Sequence, residues 1–119
     1  MALTEQSELR EVHGISDINK SLIKVFMQGT IYCWVKNRRE EPFAVRDLMG
    51  GINTNWEGTP LQVLYDKHSE AGKDDESANE DAAKDLGWLV KSVLAEDKRI
   101  FEARKAGLVN SYRWVENWL

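Results

Sequence analysis

The chain is poor in the residues that build special chemistry. It has one cysteine, Cys33, in 119 residues. That excludes an internal disulfide framework and any thiolate metal cage, and it suits a reducing compartment. There are two histidines, His13 and His68, far apart in the chain, so no histidine pair is available by local spacing. Only two prolines and eight glycines punctuate the sequence, which excludes collagen-like and low-complexity architectures. No run approaches the roughly 18 apolar residues that would read as a membrane span, and no basic head followed by an apolar body opens the chain. A soluble cytoplasmic protein with no membrane partner is expected.

What is present is enough for one core. Of all residues, 42% are hydrophobic, five of them tryptophan, and the length fits one domain. The expected organisation is a flexible N-terminal arm at 1–14 and a single domain at 15–119. Charged residues make up 30%, but the net charge is −4, so any contact with a polyanion must come from a local patch.

Hydrophobic period marks the elements. Ser16 is placed to cap a helix over about 16–37, with Ile18, Leu22, Val25, Phe26, Gly29 and Cys33 returning at intervals of three and four on one face. Ile23, Met27, Ile31 and Trp34 widen that surface beyond one stripe, which predicts cover on more than one side, either inside the fold or at a dimer contact. Cys33, on the apolar face, reads as an inert core thiol. Pro42 ends the helical stretch. Phe43 and Val45 then alternate with Ala44 and Arg46 as in a short strand, with a single helical turn as the rival reading. Glycines and asparagines from 50 to 58 form a loop that Trp56 should pin to the core.

Thr59-Pro60-Leu61-Gln62 has a hydroxyl cap, proline at the first helical position and glutamine three residues after the cap, which predicts a capping box. Gly72 is placed to end that helix in left-handed geometry. The acidic run Lys73 to Asp81 has no apolar period and reads as a solvated loop, with Ser77 and Glu80 capping the next helix. Ala82, Leu86, Leu89, Val90, Val93 and Leu94 carry that helix to about 96. His68 reads as a packing residue with no partner.

From 99 to 115 two readings compete. Good helix formers would continue the helix through Lys105, but the apolar stripe stops at Leu94, and its next positions hold Asp97 and Arg104. Two strands account for more: Phe101 and Ala103 fall on one face and Glu102 and Arg104 on the other, Ala106-Gly107 supplies a turn, and Tyr112 and Trp114 alternate on the return. The expected fold class is therefore α+β and mostly helical, with three main helices and a small antiparallel hairpin. In the order helix, short strand, capped helix, helix and hairpin, the chain resembles the winged helix-turn-helix superfamily over about residues 16 to 115. The long acidic loop before the last helix departs from that pattern.

The resemblance implies that the helix over 79–96 holds the recognition position and the hairpin 99–115 is a wing. Charge agrees in part: from Lys84 to Val115 there are seven basic residues against four acidic, while from Asp66 to Asp81 there are two against seven. Lys84, Trp88, Lys91, Lys98, Arg99, Arg104, Lys105 and Arg113 are the expected contacts to duplex DNA, through phosphates more than bases. The competing reading is an interaction or dimerisation module of the same fold, meeting a second copy or another protein through Ile23, Met27, Trp34 and Trp118. No nucleophile with a base, metal constellation or phosphate cradle stands in the sequence, so neither an enzyme nor a cofactor is expected.

Overall fold

A computed structural model describes residues 9–38, 41–49, 55–97, 99–106 and 109–117. Among them the chain is α+β and mostly helical, with a small three-stranded antiparallel sheet. The elements run α1 (Asp17–Asn37), β1 (Phe43–Ala44), α2 (Val45–Leu48), α3 (Gln62–Glu70), α4 (Asp75–Glu96), β2 (Arg99–Ala106) and β3 (Val109–Asn117).

Helix α1 begins where its cap requires. Ser16 is extended and its Oγ accepts from the Asn19 amide at 3.1 Å. Its core face differs from the expected one. Ile23, Met27, Ile31 and Val35 are buried, whereas Ile18, Leu22 and Val25 are exposed and so is Cys33. The helix carries two apolar stripes, and contact with α4 decides which one is covered. Ile23 and Met27, expected at a partner surface, thus belong to the chain's own core, where each contributes about 1.5–3 kcal/mol by burial.

Beyond Pro42, both short readings hold in part: two residues form β1, and the next four form the single turn α2. Asp47 turns back to accept from the Ala44 amide at 2.8 Å, which closes that turn. Trp56 lies in the core at 8% exposure. The Thr59 hydroxyl accepts from the Leu61 amide at 3.2 Å and donates to the Trp56 carbonyl at 2.7 Å. The regular helix starts later than expected, at Gln62, and the expected capping box does not form. Gln62 reaches forward to Asp66 at 3.0 Å, and the Thr59 amide is taken by the Trp56 carbonyl.

Gly72, at φ +91°, ends α3 as its position predicts, and Lys73 closes the turn by donating its amide to the His68 carbonyl at 3.3 Å. The expected acidic loop is absent. Asp74, not Ser77, caps α4 by accepting from the Ser77 amide at 2.8 Å, and the acids after it form the helix's first turns. Acidic side chains suit this end of a helix because the free amides leave it partially positive. Ala78 and Ala82 are fully buried, so the apolar stripe of α4 starts before the point where large residues reveal it.

The hairpin forms, and the helix does not continue through Lys105. Strands β2 and β3 pair antiparallel from Arg99↔Asn117 to Ala106↔Val109, with a bulge between Ile100 and Phe101. Strand β1 joins the far side of β3 through Phe43↔Tyr112 and Ala44↔Ser111, giving the sheet order β1-β3-β2. Phe101 and Tyr112 are buried on the core face as their alternation predicts. Just ahead of α1, Val12 is buried in the same core.

Candidate nucleic-acid interface

On α4, Lys84, Trp88 and Lys91 follow one another by four and three residues, which stacks them along one side of the helix. Trp88 is half-buried. The Arg10 guanidinium lies 4.9 Å from its ring centroid and the Lys91 ammonium 5.2 Å, so two cations lie against the indole ring. The Lys84 ammonium is largely exposed, 3.8 Å from the Asp81 carboxylate. Arg10 was not among the expected contacts. Its approach to Trp88 joins the segment before α1 to α4 and leaves no local trace in the sequence.

On the hairpin, Arg113 sits opposite Glu102 and their side chains approach to 3.5 Å, so part of its charge is matched within the sheet. Arg99, Arg104 and Lys105 occupy β2 opposite Asn117, Ser111 and Asn110. Lys98 and Trp118 lie outside the described residues. Trp34, expected at a partner surface, is half-buried. Its indole N–H donates to the Glu41 carbonyl at 3.0 Å, and its ring lies 5.9 Å from that of Phe43. It fastens the link between α1 and β1.

Helix α4 is acidic as a whole, with six carboxylates, Asp75, Glu76, Glu80, Asp81, Asp85 and Glu96, against Lys84 and Lys91. The acids crowd its first two turns. Asp74 is held below the usual carboxylate range chiefly by its hydrogen bond to the Ser77 backbone. Asp81 is held down chiefly by the Lys73 ammonium at 2.6 Å. Both stay ionised near neutrality, so the leading end of α4 carries a negative field.

His68 does have partners. Its Nε2 is 2.7 Å from Asp85 Oδ2 and its Nδ1 is 2.9 Å from the Lys73 ammonium. Lysine can only donate, so Nδ1 accepts and the Nε2–H donates to the Asp85 carboxylate. Lys67 meets the same Asp85 oxygen at 2.7 Å. This network ties α3 to α4 across a four-residue turn, 71–74, and fixes the angle between them. The partners lie 17 residues apart in sequence, so no local motif announces them.

A cleft of about 310 Å³ opens between α2 and the first half of α4, lined by Val45, Arg46, Met49, Trp56, Glu80 and Leu86. Among the described residues no group of three histidine, cysteine or carboxylate side chains is arranged to hold a metal ion, and no helix is long and apolar enough to cross a membrane. Compared with protein-family models, curated proteins and solved structures, the chain matches none.

Proposed function

We propose that this chain is a small non-enzymatic regulator of winged-helix type that holds duplex DNA through the phosphate backbone, with the β2–β3 hairpin as its wing and α4 in the recognition position. The observation that carries the reading is the arrangement of elements: α3 and α4 joined by four residues, followed by a hairpin whose second strand also pairs with β1. The short turn supports it further, because the acidic stretch that departed from the family's tight connection is the first part of α4.

Electrostatics limits how such a protein grips. Recognition helices of this kind meet base edges with their N-terminal residues. Here those residues are Asp75, Glu76 and Glu80, which repel phosphates, so α4 is held off the groove floor at that end. Binding then rests on the cations of the hairpin and on Lys84 and Lys91 further along α4. It is low in sequence discrimination and falls steeply with salt. Titrating fluorescent duplex DNA at low and moderate salt, with wild type and Arg104→Glu/Lys105→Glu, tests this. The reading requires binding that weakens with salt and is lost in the double variant; no binding at low salt, or equal binding by both proteins, rejects it.

The excess of acids on α4 favours a second reading, an interaction module of the same architecture that binds protein and leaves nucleic acid alone. Its discriminating result is the absence of any low-salt DNA complex from a protein that still self-associates or captures a partner.

A further inference from the structure

The exposed side of α1 carries an ordered pattern that its core face does not explain. Ile18, Leu22, Val25, Gly29 and Tyr32 recur at intervals of four, three, four and three, the heptad alternation that lines one seam of a helix. Ile18 is 74% exposed, Leu22 53%, Val25 72% and Tyr32 45%, and a Cβ built on Gly29 would meet nothing within 4 Å. The basic residues of this stretch are directed elsewhere: Lys20 reaches Glu11 at 3.5 Å and Lys24 reaches Glu96 at 3.0 Å. The seam itself is uncharged from 18 to 32, runs about 21 Å along the helix, and ends near Asp17 at one extremity and Lys36 at the other.

We propose that this seam binds the same seam of a second copy, with the two α1 helices antiparallel about a twofold axis at Val25. The sizes decide the direction. Run antiparallel, Leu22 of each copy fills the space over Gly29 of the other, Ile18 lies against Tyr32, and Val25 meets itself on the axis. The acidic start of each helix then lies toward the Lys36 end of its mate, and the helix dipoles oppose. Run parallel, glycine would face glycine and leave a gap, tyrosine would crowd tyrosine, and like charges would meet at both ends. An isologous contact of this kind closes on itself, so it makes a dimer and not a filament. The proposal shares self-association and the use of α1 with the second functional reading but places the contact on the opposite, exposed side of the helix, and it does not depend on nucleic-acid contact.

The test uses the full chain. Sedimentation velocity over a wide concentration range should show the mass rising from one chain toward two. Val25→Glu should stay monomeric throughout, with an unchanged thermal melt at concentrations low enough for wild type to be monomeric too, since the side chain it replaces is exposed. In a Cys33→Ser background, Val25→Cys should cross-link to itself under mild oxidation. Ile18→Cys should not, because the two copies of that position lie about 21 Å apart along the axis in the antiparallel pair. Wild type that is monomeric at the highest concentration, a Val25→Glu protein that still dimerises, or Ile18→Cys cross-linking as readily as Val25→Cys each overturns the proposal. Arg104→Glu/Lys105→Glu should dimerise as wild type does, which separates this outcome from the fate of the DNA reading.

Discussion

Phe43 sits directly across from Tyr112 in the sheet, with ring centroids 6.0 Å apart, and together with Ala44 across from Ser111 it makes β3 the central strand. Phe43 also meets Phe101 edge-on at 6.2 Å and Trp34 at 5.9 Å, so a two-residue strand anchors an aromatic cluster drawn from α1 and all three strands. Phe43→Ala should therefore cost about 3–5 kcal/mol. A urea titration should show the midpoint falling with an unchanged slope; a loss below about 1 kcal/mol would mean that β1 is dispensable.

Gln28 donates to Asp97 at 2.7 Å, joining the middle of α1 to the point where α4 gives way to β2. Asp97 is only 8% exposed, so removing a donor from its carboxylate carries a desolvation cost. Gln28→Leu should lose about 1–3 kcal/mol. Amide exchange should rise most at the start of β2, and uniform loosening across the whole chain would contradict a local tether.

Acid should loosen the start of α4. Asp74 and Asp81 are both depressed below their unfolded value of 3.8, by the Ser77 backbone and by Lys73 respectively. A depressed carboxylate adds stability that is present above the unfolded pKa and is lost as pH falls through the folded one. The expected window lies below about pH 4. Asp74→Asn keeps a capping oxygen without the charge, so the difference in urea midpoint between it and wild type should be largest near neutrality and shrink steadily as the pH falls below about 4. A difference that does not shrink there would assign the cap's contribution to something other than ionisation.

Gly72 adopts φ +91°, and a Cβ there would touch nothing within 4 Å, so a substitution at this position tests backbone strain without a clash. Gly72→Ala should destabilise the turn between α3 and α4 by about 1–2 kcal/mol. Gly29→Ala in the interior of α1 should do the opposite for the monomer, by roughly 0.5–1 kcal/mol. Thermal melts of the two variants at equal low concentration should move in opposite directions.

The elements that the sequence disclosed are those whose larger apolar residues keep a helix or strand period. Helix α1, the end of α4 and the alternation of Phe101, Tyr112 and Trp114 on the hairpin all follow from spacing and capping. The core side of α1 did not, because Ile18, Leu22 and Val25 repeat as regularly as Ile23, Met27 and Ile31, and only the packing of α4 chooses between them. The start of α4 was hidden by chemistry: its first buried residue is Ala78, too small to stand out among acids. Its spacing of four from Ala82, which leads on to Leu86, was the available signal. The contacts of His68 and Arg10 are tertiary and leave no such signal. Of the expected interface residues, Lys84, Trp88 and Lys91 do share one side of α4, while Ile23 and Met27 are internal.

The bulge between Ile100 and Phe101 gives β3 one residue more than the strand beside it. Above it, the pairing from Phe101 to Ala106 is fixed by the aromatic side chains that point inward. Below it, the slack is already built in. Evolution or an engineer can lengthen or shorten the chain by a residue there and change how the hairpin leans from the body, while every pair nearer the tip keeps its mate.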